Sequence, residues 1–273
     1  MPFVETRDGT NLFYKDWGSG PPLVFIHGWP VNADMWEYQM PYLASQGLRT
    51  VAYDRRGFGR SDQPWTGYDY DTFADDLASL LDHLGLQQVT LVGFSMGGGE
   101  IARYLTRHGT GRVAKAVLVA AVTPFLLKTP DNDGGAPVSV FDGMVAGLNK
   151  DRPNFLAGFG KSFFGVSALS HNVSSETLQW QHNLAMMASP KATIDCVRAF
   201  SETDFRRDME AFTVPTLIIH GDADQTVPIA ASGEVTARMI PGARREVYSG
   251  APHGLFVTHK DRLNTDLLEF IRS

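Results

Sequence analysis

The 273 residues contain one cysteine, Cys196, so no internal disulfide can form. It lies in "TIDCVRAF" among apolar residues at helical spacing, the setting of a small core residue rather than of a nucleophile. Long apolar runs are also missing. No stretch approaches the roughly 20 residues needed to cross a bilayer, so no membrane span is expected. Positive charge is scarce as well, with 24 Lys and Arg against 30 Asp and Glu and a net charge of -6. The basic pairs Arg55-Arg56, Arg206-Arg207 and Arg244-Arg245 are short and scattered, which argues against nucleic acid as a partner. No His, Cys and carboxylate cluster has metal-ligand spacing, so no metal is expected. The opening "MPFVETRDGTNLFYKDWG" has neither the basic nor the apolar segment of a secretory signal, and the expected location is cytoplasmic. There is no internal repeat and no low-complexity tract.

What is present is an alternation. After a hairpin-like start, "FVETRD" and "NLFYKDW" around Asp8-Gly9, the runs "PLVFIHG", "LRTVAYD", "QVTLVGF", "RVAKAVLVA" and "PTLIIHGD" read as strands covered on both faces. Amphipathic segments lie between most of them: "ADMWEYQMPYLASQG", "DTFADDLASLLDHLG", "GGGEIARYLTRHG" and "AASGEVTARMIPG". Strands alternating with helices imply an α/β class with a mainly parallel sheet. From 123 to 212 the alternation stops, and Pro, Gly and aromatics such as Phe125, Phe141, Phe155 and Trp180 accumulate. This segment is expected to be a helical cap inserted into one catalytic core formed by 1–122 and 213–273. Its aromatics suit either the cap's own core or an apolar substrate pocket over the strand ends.

Between the strand "VTLV" and the helix "GGEIARYLTRHG" stands "GFSMG", Gly93 to Gly97, a Gly-x-Ser-x-Gly in the strand-turn-helix context of a nucleophile elbow. Such a turn strains the serine backbone and needs small neighbours on either side. A serine hydroxyl requires a base to take its proton and an acid to orient that base. Both lie downstream: Asp224 in "HGDADQTVP" after "PTLII", and His253 in "SGAPHGLF" after "RREVY". The order Ser95, Asp224, His253 is that of the serine elbow fold. Asp222 competes with Asp224, but its place in the turn "HGD" suits bonding to nearby backbone. His259, beside Lys260 and Asp261, looks solvated, whereas His27 and His220 each precede a glycine at a strand end and suit loop-fixing hydrogen bonds. Acyl transfer also needs two N–H donors for the developing oxyanion. One is expected at Met96, after the nucleophile, and the other in the loop "HGWP" after the third strand.

Taken together, "HGWP", "DRRGFGRSD", "GFSMGGG", "HGDADQTVP" and "APHG" resemble the α/β-hydrolase superfamily. With "WEYQM", "FADDLASLLDHL" and "SETDFR" the chain more narrowly resembles the cofactor-free bacterial haloperoxidases, also described as aryl esterases and perhydrolases. The likeness covers nearly the whole chain and is weakest from 126 to 190. It implies an α/β-hydrolase fold, an eight-stranded mainly parallel sheet flanked by helices with an inserted helical cap. The implied activity is that of a serine esterase on small acyl esters, with hydrogen peroxide as an alternative nucleophile. Carried over, Ser95, Asp224 and His253 match the triad, and the N–H groups of Trp29 and Met96 match the oxyanion hole. Trp29, Pro30, Val122, Phe125, Phe159, Phe163, Phe200 and Thr226 fall at pocket positions. Relatives often self-associate, so a homo-oligomer stays open, although no segment of the sequence points to one.

Pro30 removes one N–H from the loop and biases Trp29 toward extended angles. One reading is that it only stiffens the strand exit. The other is that it turns the Trp29 carbonyl toward the site, where that oxygen accepts a hydrogen bond from peroxide or a peracid. Ser95 argues against dehalogenases and epoxide hydrolases of this fold, which use aspartate at the elbow. A lactonase or lactamase would share the serine attack. A ligand-binding protein on the same scaffold would be expected to lack a triad member, and none is missing.

Overall fold

The computed structural model describes residues 2–167 and 170–273. Among them, eight strands form one sheet: β1 (Phe3–Glu5), β2 (Asn11–Trp17), β3 (Pro22–Ile26), β4 (Arg49–Tyr53), β5 (Val89–Phe94), β6 (Val113–Val119), β7 (Thr216–Gly221) and β8 (Arg244–Tyr248). Their order is β1-β2-β4-β3-β5-β6-β7-β8. The pairs β1–β2 and β2–β4 are antiparallel and the rest are parallel.

Period-two alternation explains why the central strands are apolar throughout. Val24 and Ile26 of β3, Leu91 of β5 and Leu118 of β6 join one buried cluster. Their neighbours Leu23, Phe25, Val92, Val117 and Val119 join a second cluster on the opposite face. A strand with a core on each side must carry apolar residues at every position. The helices α1 (Met40–Ser45), α2 (Tyr70–His83), α3 (Met96–His108), α7 (Gly233–Met239), α8 (Leu255–Thr258) and α9 (Lys260–Arg272) provide those covers. Leu77, Leu80 and Leu81 of α2 enter the first cluster, and Leu263, Leu267 and Phe270 of α9 enter the second.

Two expected helices are shorter in the structure. "ADMWEYQMPYLASQG" divides into a 3-10 turn at Ala33–Trp36, capped by the Asn32 side chain, and α1, which has Pro41 in its first turn. Proline lacks an N–H and so can begin a helix but cannot extend one arriving from upstream. "AASGEVTARMIPG" likewise splits into a turn at Ile229–Ala231 and α7. Between β6 and β7 the chain forms α4 (Val138–Phe163), α5 (Ser175–Met186) and α6 (Pro190–Glu202). α4 bends at Asp151, where φ is -160°, two residues before Pro153, and the Asp151 carboxylate accepts the Asn154 N–H at 3.0 Å. No helix among the described residues is long and apolar enough to cross a membrane.

Candidate active site

Ser95 sits between β5 and α3 with φ of 52° and ψ of -115°, a conformation costly for any side chain-bearing residue. The turn packs only because its neighbours are glycines. A Cβ on Gly93 would lie 2.5 Å from the Gly97 carbonyl oxygen, and one on Gly97 would lie 2.5 Å from that of Ile26. The Ser95 N–H donates to Val119 (2.9 Å), and its carbonyl accepts from Gly98 (3.0 Å) and Val122 (3.2 Å), so the end of β6, the loop after it and the first turn of α3 hold the turn.

His253, from the loop after β8, reaches Ser95 Oγ through Nε2 at 3.0 Å. Its Nδ1 lies 2.6 Å from Asp224 Oδ2. An ionised carboxylate only accepts, so Nδ1 carries the hydrogen and Nε2 faces the hydroxyl as a base. The other oxygen, Oδ1, accepts the N–H groups of Thr226 (2.9 Å) and Val227 (2.8 Å). Burial works to raise the Asp224 pKa, but attraction to His253 and hydrogen bonds from His220 and His253 outweigh it and hold the carboxyl well below the usual range. Phe94 and Phe163 flank the His253 ring with centroids 4.8 and 5.0 Å away. The rivals are occupied elsewhere. Asp222 accepts the Gly250 N–H at 2.6 Å, and His259 Nδ1 pairs with the Thr258 hydroxyl at 2.9 Å.

The "HGWP" loop lies directly against the nucleophile, since a Cβ on Gly28 would come within 3.1 Å of Ser95 Cβ. Among the described residues no hydrogen bond uses the backbone N–H of Trp29 or Met96. The Trp29–Pro30 peptide is cis, and the Trp29 indole N–H donates to the Thr193 carbonyl of α6 at 2.9 Å. A buried network fixes the start of this loop. His27 Nε2 accepts the Arg55 N–H (2.9 Å), and its Nδ1–H donates to the Gly28 carbonyl (2.8 Å). Burial, with help from the Arg55 charge, pushes the His27 pKa well below its ordinary value and keeps the ring neutral. The Arg55 guanidinium donates to the His27 carbonyl at 3.0 Å and to Glu100 of α3 at 2.7 Å, and Tyr53 also bonds Glu100. Loop and nucleophile helix are thereby tied through one fully buried ion pair.

Ser95 and His253 open on a cavity of about 560 Å³. Of the residues expected there, Trp29, Val122, Phe159, Phe200 and Thr226 line it. Pro30, Phe125 and Phe163 do not: Pro30 is buried, Phe125 lies under the Arg206 guanidinium at 5.3 Å, and Phe163 packs on His253 instead. Phe141, one of the cap aromatics that suited either reading, also lines it, whereas sequence reasoning passed over Leu126, the stretch Gly134 to Ala136, and Val140 and Met144 from the first turns of α4. The Gly134-Gly135 pair was the available signal, a turn-forming break before a helix. Ser162 and Gln225 left none. Among the described residues no Asp, Glu, Lys or Arg lines the cavity.

A mainly parallel sheet with a serine on a strained strand-to-helix turn, and a histidine and an acid on later strand-end loops, defines a class of hydrolases. The chain belongs to the alpha/beta hydrolase fold family, whose model matches residues 21–260. It is 47% identical to the non-heme haloperoxidase of Rhodococcus erythropolis across all of both chains. It is 43% identical to the bifunctional esterase/perhydrolase of Acinetobacter calcoaceticus, again across all of both. The fold superposes on the crystal structure of a bromoperoxidase from Bacillus anthracis with a TM-score of 0.97, at 47% identity, covering 100% of this chain and 99% of that one.

Proposed function

We propose that the protein is a serine esterase acting on small, uncharged aryl and alkyl esters through an acyl-enzyme on Ser95, with hydrogen peroxide able to replace water as acyl acceptor. The observation that carries this reading is the chain from Asp224 through His253 to Ser95, at 2.6 and 3.0 Å, ending in a cavity without charged walls. His253 Nε2 takes the Ser95 proton, and the oxygen attacks the ester carbonyl. The developing oxyanion is met by the free N–H groups of Trp29 and Met96. Collapse expels the alcohol, protonated by His253, and leaves the acyl group on Ser95. Water, deprotonated by the same histidine, then releases the acid. If hydrogen peroxide attacks, the product is a peracid, which can oxidise bromide to hypobromous acid while becoming the carboxylate. The relatives named haloperoxidase and esterase/perhydrolase support this pairing of activities.

In this reading the segment 123–212 is a cap that walls the acyl pocket, since Phe141, Met144, Phe159 and Phe200 all come from it. Among the described residues no Asp, Glu, Lys or Arg lines the cavity, which disfavours dicarboxylate and ammonium substrates, since they would be desolvated without a partner. Ser95→Ala should lower both p-nitrophenyl acetate hydrolysis and peracid formation by about 10⁴-fold or more. Peracid formation persisting at the wild-type rate in that variant would overturn the shared acyl-enzyme. Pro30 is assigned a role in admitting peroxide, by restricting the Trp29 peptide so that its carbonyl faces the site. Pro30→Leu should lower the ratio of perhydrolysis to hydrolysis several-fold, roughly 1 kcal/mol between two nucleophiles; an unchanged ratio removes that role.

A further inference from the structure

His220 is the last residue but one of β7 and is fully buried. Its Nε2 lies 2.8 Å from the Val227 carbonyl. A carbonyl only accepts, so Nε2 carries the hydrogen. The same nitrogen is 3.3 Å from Asp224 Oδ2, the oxygen that His253 uses. Val227 in turn sends its N–H to Asp224 Oδ1 at 2.8 Å. The turn from Asp224 to Val227 is therefore closed into a ring: acid to amide, carbonyl to imidazole, and imidazole back beside the acid. The far nitrogen, Nδ1, is buried without a partner, so the polar contacts of the imidazole, to Val227 and Asp224, all lie on this turn. Gly233, the first residue of α7, permits the fit, because a Cβ there would stand 2.7 Å from His220 Nδ1.

We propose that His220 is a positioning residue for catalysis: it holds the Asp224 turn and places a second N–H dipole beside the carboxylate that orients His253. This rests on the reading of Ser95, His253 and Asp224 as the reacting set. Two effects follow. Without His220 the Val227 carbonyl loses its donor in a buried site, and the Asp224 turn gains freedom to rotate away from His253. Asp224 Oδ2 also loses a source of positive potential, so its charge attracts a proton on His253 more strongly. The titratable groups facing Asp224 are His253 from the loop after β8 and His220 from β7, while Asp222 is turned outward to Gly250. Among the described residues these two histidines are the only ion-pair partners of Asp224.

The test compares His220→Leu, which removes the donor, with His220→Gln, whose amide N–H reaches the former Nε2 position. In pH profiles of p-nitrophenyl acetate hydrolysis, His220→Leu should lose about 10- to 100-fold in kcat with KM changed by less than about twofold. Its acid limb should move to higher pH by about half a unit. His220→Gln should recover most of kcat, with the acid limb at the wild-type position. An equal loss in both variants with an unmoved acid limb, or no loss in either, overturns the proposal. If the Leu variant does not fold, His220→Asn, whose amide is too short to reach Val227, takes its place. Labelling of wild-type Ser95 by a fluorophosphonate separates the two failures. No labelling would sink the triad reading, whereas labelling with unaffected His220 variants would sink only this inference.

Discussion

Ser95 and Phe141 lie on the walls of one cavity, yet different physics holds them there. Ser95 is fixed by backbone: its N–H and carbonyl are bonded to Val119, Gly98 and Val122, and the flanking Gly93 and Gly97 have no room for a side chain. Phe141 rides on α4, and its ring is held by apolar packing, including an edge-on contact with Phe200 at 6.4 Å. The surface ion pair Arg198–Asp142, at 2.6 Å, adds little because both partners are largely solvated. Catalytic geometry is thus set by hard contacts that tolerate no change. The cavity wall at Phe141 is set by soft apolar packing that tolerates a great deal.

That contrast can be broken from either side. On the hard side, Gly97→Ala places a methyl 2.5 Å from the Ile26 carbonyl, an atom that cannot yield without moving β3. It should cost about 3 kcal/mol in chemical denaturation and most of the activity; a fully active, equally stable variant would mean that the elbow is not locked. On the soft side, Phe141→Ala should leave fluorophosphonate labelling of Ser95 within about twofold of wild type. It should raise kcat/KM for an octanoyl over an acetyl p-nitrophenyl ester by about tenfold. An unchanged chain-length profile would show that Phe141 does not limit the pocket.

The smallest effect sharpens the line between them. His27 is neutral in the folded protein, because burial and Arg55 oppose its charge, but it titrates near 6.5 once unfolded. The folded pKa is the lower one, so the stabilisation is full above pH 6.5 and is lost as pH falls, when the unfolded state takes up a proton that the folded state refuses. Between pH 7.5 and 5.5 the stability advantage of wild type over His27→Gln should shrink by about 1.4 kcal/mol, read by urea denaturation at both pH values. A constant difference would mean that His27 accepts a proton in place.

The same division governs how much could be read from sequence. The five central strands β3 to β7 were legible because burial on both faces forces largely unbroken apolar runs, and Ser95, Asp224 and His253 because each is spelled by a short motif at a strand end. Helix lengths were less so: Pro41 decides where α1 begins, and that is a matter of one missing N–H. The closing helices α8 and α9 had no place in the expected order. The pocket wall was least legible. Aromatics in a helical segment do not declare which way they face, so Phe159 and Phe200 line the cavity while Phe163 turns to His253 and Phe125 to Arg206. Gly134 to Ala136 carry almost no side chain, and a wall made of backbone has no residue type to announce it. His220 was recognised as a loop-fixing residue, but its proximity to Asp224 depends on a turn only the fold reveals.

The bend in α4 at Asp151 sends one helix past the site twice. Its first half supplies Val140, Phe141 and Met144 to the cavity, and its second half supplies Phe159 and Ser162 and then lays Phe163 against the imidazole of His253. In the proposed reading, the part of the molecule that tells one acyl chain from another is therefore mechanically continuous with the part that moves the proton. Variants selected for a bulkier substrate by altering this helix should carry altered proton-transfer behaviour with them, even when no residue touching Ser95 has changed. Specificity and reactivity in this scaffold would then be inherited together rather than tuned apart.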